Sequence, residues 1–289
     1  MASWRMAEAA AQESTGSTAG AGGTGSAAAV TPAARRITAS KIGEEIRVDS
    51  RRLVALSLRP AIFRIDAFLS SDECDHIIAA SRGRFRSSYV TGGGSVSASD
   101  VEEGEQGNPN AAGATLPGGG ETDYRTSTTA WLPMSSDPIL ASIQNRTAQL
   151  CGLSLGDFLP LAEDLQVVHY GVGEQFGLHH DSSAGFQRRD LTLLMYLSEV
   201  EAGGETLFPE AQVQVKDGEG MKSDAAVEVD RGGDSLVRTG LRVQPRQGMA
   251  LLFYNLDPET HAPDPMAVHA ALPVLRGEKH AANFWLNRR

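Results

Sequence analysis

The 289-residue sequence contains only two cysteines, Cys74 and Cys151. Two thiols cannot build a disulfide framework. Both fall in apolar helical patterns and read as buried free thiols. No stretch approaches the ~20 consecutive apolar residues of a membrane span, so no transmembrane segment is expected. The N-terminus, "MASWRMAEAAAQES", lacks the apolar run of a secretory signal. Positive charge is also short: 26 Lys and Arg stand against 36 Asp and Glu, a net charge of −10. That deficit excludes general binding to nucleic acid or to anionic membranes. Residues 1–36 are dominated by small and polar residues, as in "STGSTAGAGGTGSAAAVTPAA". Such a segment buries too little surface to offset its ordering entropy. Residues 1–56 therefore read as a disordered tail and linker, and 57–289 as one domain with a sizeable core.

Within that domain the pattern changes along the chain. In "AIFRIDAFLSSDECDHIIAASR" (61–82) a strand gives way to a helix. Ser70 with Glu73 forms a capping-box pattern, and Cys74, Ile77, Ile78 and Ser81 follow at helical spacing. "DPILASIQNRTAQLCG" (137–152) predicts a second helix. Asp137 caps it, Pro138 suits its first turn, and Leu140, Ile143, Thr147 and Leu150 line one face. Beyond residue 165, short apolar runs alternate with polar turns: "LQVVHY", "LTLLMYL", "MALLFY" and "ANFWLN". That rhythm predicts antiparallel strands rather than βαβ units. The expected class is α+β. Residues 91–123 are Gly-rich and acidic, a mobile or disordered loop. Residues 215–240 form a polar insert with at most a small hairpin.

The stretch "GLHHDSS" (177–183) carries the strongest chemical signal. In an extended chain, side chains alternate faces. His179 and Asp181 then share one face, and His180 points to the other. One imidazole and one carboxylate leave a third ligand to come from elsewhere. Two histidines and a carboxylate with open positions form the facial triad of non-haem Fe(II) oxygenases. Outside this stretch and before residue 280 stand His76, His169, His261 and His269. His76 lies on the charged side of a helix, His261 in a Pro-rich loop, and His169 beside Tyr170. His269 sits among small apolar residues in "MAVHAALPVL". Lys279 follows ten residues later, entering an apolar strand. A buried lysine needs an anion, and a dicarboxylate would supply one.

These stretches resemble prolyl 4-hydroxylases, in the Fe(II)- and 2-oxoglutarate-dependent dioxygenase superfamily. The matching segments are "LQVVHYGVGEQFGLHHD", "RRDLTLLMYLSEVEAGGETLFPEA", "VQPRQGMALLFYNL" and "VHAALPVLRGEKHAANFW". "IDAFLSSDECDHII" and "YRTSTTAWL" look like the family's N-terminal entry and its "RTS" strand. The resemblance implies a double-stranded β-helix (jelly-roll) core with the N-terminal helices packed on one sheet. It implies His179, Asp181 and His269 as iron ligands and Lys279 as partner of the distal carboxylate of 2-oxoglutarate. Tyr170 would hydrogen-bond the co-substrate, and Thr192 and Leu194 would line its pocket. Arg125, Ser127 and Trp285 would lie beside the substrate.

The implied reaction uses Fe(II), 2-oxoglutarate and O2, with ascorbate as reductant, and hydroxylates a Pro-rich peptide or protein with release of succinate and CO2. The family's usual compartment is the endoplasmic reticulum, with the cytoplasm as the alternative. Phe176, His280, Asn283 and Phe284 depart from the family pattern on the substrate side. A dioxygenase acting on another residue type, or a non-catalytic jelly-roll module that binds metal, are the competing readings.

Overall fold

In a computed structural model of the chain, the described residues are 34–88, 124–134, 137–183, 188–212, 227–228 and 239–288. They fall within one unit, Pro32–Arg289. The disordered or mobile loop expected over 91–123 lies outside them, as does most of the insert at 215–240.

Three strands open the described chain: β1 (Glu45–Val48), β2 (Arg51–Leu58) and β3 (Ala61–Ile65). This corrects the linker expected up to residue 56. The segment "RRLVALSL" alternates strictly, with Leu53, Ala55 and Ser57 fully buried. A period of two is enough to seat a strand on one face. The preceding Gly/Ala-rich composition hid that short pattern.

Helix α1 (Ser71–Ser81) starts at the expected capping box: Glu73 N–H donates to Ser70 Oγ, and Ser70 N–H donates to the Glu73 carboxylate. Strand β4 (Arg86–Ser87) follows, then β5 (Thr128–Leu132). Helix α2 (Pro138–Leu150) is capped by Asp137, whose carboxylate accepts from Ile139 and Leu140 N–H. Its expected face, Leu140, Ile143, Thr147 and Leu150, is buried. A one-turn helix, α3 (Leu155–Phe158), follows.

The remainder is strand: β6 (Leu165–Tyr170), β7 (Phe176–His179), β8 (Arg189–Tyr196), β9 (Ala202–Gly203), β10 (Thr206–Phe208), β11 (Val227–Glu228), β12 (Thr239–Val243), β13 (Ala250–Tyr254), β14 (His269–Ala271), β15 (Val274–Arg276) and β16 (Lys279–Asn287). A nine-stranded sheet has the order β1-β2-β3-β13-β8-β16-β6-β5-β4. A five-stranded sheet has the order β11-β12-β10-β14-β7, and β15 pairs β9. Neighbouring strands are antiparallel throughout these pairs.

One face of the large sheet meets the small sheet. Leu194, Tyr196, Leu251 and Phe253 pack there with Phe208, Leu241 and Val243. The other face contributes Leu193, Met195, Leu252, Ala282 and Phe284 to a core that includes Cys74, Ile77, Ile143 and Phe158. Two packed antiparallel sheets agree with a jelly-roll core. Both cysteines are buried and free, and burial raises their thiols to about 11 and about 12.

Candidate functional site

β7 and β14 lie side by side at the edge of the small sheet, with His179 directly opposite His269. Strand β7 ends at His179, so the extended segment is shorter than the sequence suggests. The chain bends at Asp181, and its carboxylate still reaches the two rings. Asp181 Oδ1 lies 3.7 Å from His179 Nε2, and Oδ2 lies 3.7 Å from His269 Nε2. One donor atom from each residue lies within 4.8 Å of the others.

Backbone carbonyls set the orientation of both rings. His179 Nδ1 lies 2.8 Å from Gly177 O, and His269 Nδ1 lies 3.1 Å from Ala267 O. A carbonyl only accepts, so each Nδ1 carries the proton. Each Nε2 lone pair is left facing Asp181. This is the supporting arrangement that metal-binding histidines use. Phe176 stacks on His179 at 3.5 Å between ring centroids, and Phe208 and Phe253 flank His269. The apolar walls fix the rings and keep the local dielectric low.

The electrostatics fit a cation. Burial, then the adjacent His269, hold His179 well below the ordinary imidazole range. It is therefore neutral and able to ligate at neutral pH. Burial alone would raise the Asp181 carboxyl, but His269, His179 and the Thr192 hydroxyl hold it below the usual carboxylate range. Thr192 Oγ1 donates to Asp181 Oδ2 at 2.7 Å, and Asn255 Nδ2 donates to Thr192 Oγ1 at 2.9 Å. Both residues are fully buried. This relay fixes which way the carboxylate points. Two imidazoles and one carboxylate that converge in this way suit a divalent iron with positions left open.

Lys279 starts β16, opposite Tyr170 on β6. Its ammonium donates to Gly204 O at 2.7 Å and lies 5.2 Å and 5.7 Å from the ring centroids of Tyr170 and Tyr196. Burial pushes it down to about 7, and Glu205 opposes that fall. Among the described residues, no carboxylate lies within ion-pair distance of it. Only 2% of Lys279 is exposed. A buried cation of this kind suits an anionic ligand. Tyr196 OH donates to Thr206 Oγ1 at 2.7 Å, and Thr206 lies on β10, which pairs with the His269 strand. Burial raises the Tyr170 hydroxyl to about 12, and Ser127 is its hydrogen-bond partner.

The remaining expected residues fall around this frame. Leu194 packs in the core between the sheets, on the same strand as Thr192. Trp285 lies opposite Thr192 on β16, and the Arg189 guanidinium sits 3.5 Å from its ring centroid. Arg125 forms a β-bridge with Phe176, its guanidinium lies 4.2 Å from that ring, and its Nε donates to Ser127 Oγ at 3.2 Å. His180 stands outside the donor group, and its buried Nδ1 makes no hydrogen bond.

Sequence reasoning missed Asn255, Gly204 and Tyr196. Asn255 had one signal, a polar residue extending the apolar run "MALLFY". Gly204 acts through its carbonyl, which leaves no mark on residue type.

Residues 165–287 match the family model of the 2OG-Fe(II) oxygenase superfamily. Probable prolyl 4-hydroxylase 4 of Arabidopsis thaliana is 30% identical over 252 residues, covering 83% of this chain and 72% of that protein. Probable prolyl 4-hydroxylase 6 of the same plant is 32% identical over 250 residues, covering 84% and 74%. Among solved structures, a viral collagen prolyl hydroxylase from Paramecium bursaria Chlorella virus-1, in its 2OG complex, is 23% identical with a TM-score of 0.50. The match covers 79% of this chain and 96% of the viral one, and it agrees with the jelly-roll fold.

Proposed function

Because the chain belongs to the prolyl 4-hydroxylase family of 2OG-Fe(II) oxygenases, and is a 2-oxoglutarate-dependent dioxygenase using Fe(II), 2-oxoglutarate and O2, we propose that it hydroxylates proline in a Pro-rich peptide or protein, with release of succinate and CO2. The observation that carries the site assignment is the convergence of His179 Nε2, Asp181 and His269 Nε2, with both Nδ1 protons held by backbone carbonyls. In this reading His179, Asp181 and His269 hold the iron, and Lys279 takes the distal carboxylate of 2-oxoglutarate. When bound, the iron and co-substrate supply the oxidising chemistry, with ascorbate the family's usual additional reductant.

The chain's own residues bind, orient and exclude water. Thr192 and Asn255 keep the Asp181 carboxylate turned toward the two rings. Phe176, Phe208 and Phe253 form dry walls. Lys279 holds its proton when a carboxylate arrives, and Tyr170 stands beside it as a neutral hydroxyl.

Aromatic surface supports a polyproline-II ligand. Trp131 on β5 is 45% exposed, and its ring lies 6.0 Å from that of Trp285. Aromatic grooves are the usual docking surface for that helix. We place Arg125, Ser127 and Trp285 beside the peptide on this basis. In the same proposal the folded catalytic unit is a jelly roll with its N-terminal helices against one sheet. No helix among the described residues is long and apolar enough to cross a membrane.

Two measurements test the reading. Anaerobic addition of Fe(II) and then 2-oxoglutarate should give a visible charge-transfer band. The band should vanish in His179→Ala and persist in His180→Ala. A panel of Pro-rich and Pro-free peptides, analysed by mass spectrometry, should then show an added oxygen on proline. Oxygen on another residue type would keep the iron site and overturn the substrate.

A further inference from the structure

A second set of metal-ligating side chains stands on the opposite face of the sheet. His280 and His169 are directly paired across β16 and β6. Their alternation places them behind Lys279 and Tyr170, which are paired one position earlier on β16. The two rings lie 4.6 Å apart between centroids, inclined at 45°. Glu278 precedes β16 and belongs to the same face as His280, and its Oε2 lies 2.8 Å from His169 Nε2. One donor atom from each of the three lies within 4.8 Å of the others.

We propose that His169, Glu278 and His280 form a second divalent-metal site, separate from the His179–Asp181–His269 centre, that takes a borderline transition ion such as Zn²⁺. The donor set decides the class of ion. Two imidazoles with one carboxylate favour zinc, copper or nickel over calcium or magnesium, which prefer all-oxygen shells. Two of the ligands come from facing positions on adjacent strands, so the backbone ladder fixes their spacing. The third ligand is open to solvent: the Glu278 side chain is 64% exposed and the His169 side chain 27%. Zinc bonds to imidazole nitrogen and carboxylate oxygen are ~2.0–2.2 Å long, and the three donors, within 4.8 Å of one another, can surround one ion. Phe85 packs on His169 at 5.9 Å between ring centroids and limits where that ring can turn. The open side leaves room for water as the remaining ligand. A simpler role exists for the cluster, a surface His169–Glu278 ion pair. It accounts for two of the residues and leaves His280 without a function. An ion bound here would brace β6 and β16 at the point where Lys279 and Tyr170 leave the other face.

The test is zinc binding by the full-length protein, measured as metal retained after dialysis. The wild type should retain two equivalents. His179→Ala/His269→Ala should retain one, and His169→Asn/His280→Asn should retain one. Adding Glu278→Gln to the first of these should weaken the remaining site at least tenfold. The proposal is overturned if His179→Ala/His269→Ala, shown to be folded by circular dichroism, retains no zinc. It is equally overturned if the zinc it retains is unaffected by removing His169, Glu278 and His280. If the double variants do not fold, Glu278→Gln alone decides the matter, because an exposed side chain can be changed without disturbing the core. Two equally tight equivalents in that variant would overturn the site, and a weakened second equivalent would support it.

Discussion

Lys279→Met should stabilise the ligand-free protein and abolish the pH dependence of 2-oxoglutarate affinity. Burial lowers Lys279 from 10.5 to about 7. At ~1.4 kcal/mol per pH unit, that corresponds to roughly 5 kcal/mol for keeping the ammonium charged in its pocket. The unfolded chain binds this proton more tightly than the folded one does. Wild-type stability therefore rises with pH between about 7 and 10.5, and below about 7 the full penalty is present. Methionine preserves most of the stem volume and removes the charge. The variant should gain a few kcal/mol over wild type at pH 6, roughly 5 at most, with the gain shrinking toward pH 10. Co-substrate binding should show the converse. A dicarboxylate favours the ammonium, so wild-type affinity should fall tenfold for each pH unit above about 7. In the variant, affinity should be weak and flat. Urea denaturation from pH 6 to 9, with anaerobic titrations of the Fe(II)–2-oxoglutarate band over the same range, measures both. A wild-type affinity that does not change between pH 7 and 9 would refute the reasoning, as would a variant less stable than wild type at pH 6.

Thr192→Val removes the hydroxyl that donates to Asp181. Iron affinity should fall ~10–100-fold while the fold is retained; unchanged affinity in an anaerobic Fe(II) titration would remove Thr192 from the support of the site. Leu53→Ala should cost about 2–5 kcal/mol in urea denaturation, because Leu53 is fully buried on β2. A loss under 1 kcal/mol would mean that the strands before residue 57 are not part of the cooperative core. Ser70→Ala breaks one half of the α1 capping box and should cost about 1 kcal/mol, read as a drop in Tm with turnover unchanged. Deletion of residues 1–33 should leave turnover intact, whereas extending it through Ile37 should lower Tm. That longer cut removes Arg36, stacked 4.0 Å from the Tyr254 ring centroid, and the Ile37 N–H bond to Tyr254 OH.

The features read correctly from sequence rest on local physics. The caps at Ser70 and Asp137 depend on residues two or three positions away. Both are fixed by backbone geometry that every chain shares. One reading went astray for an equally physical reason. The strands at 45–58 are short and follow a long polar stretch, so their alternation carried little weight until β3 and β13 gave the sheet somewhere to grow. The hydrogen bond from the Thr192 hydroxyl to Asp181 carries no local sequence signal. Which neighbour a buried hydroxyl finds depends on a residue eleven positions away, and only the packed sheets bring the two together.

Residue types along the chain already carry the donor chemistry: an H-x-D pair, a histidine among small apolar residues, and a lysine ten positions later. They also determine the antiparallel rhythm that carries these groups. The tertiary structure alone decided the register that sets His179 against His269, the carbonyls that choose each ring's tautomer, and the Asn255–Thr192–Asp181 relay. It alone placed His169 and His280 back to back with Tyr170 and Lys279. Residue types fix what a side chain can do. Only the closing of long-range strand pairs fixes which side chains it meets, and on which side of the sheet.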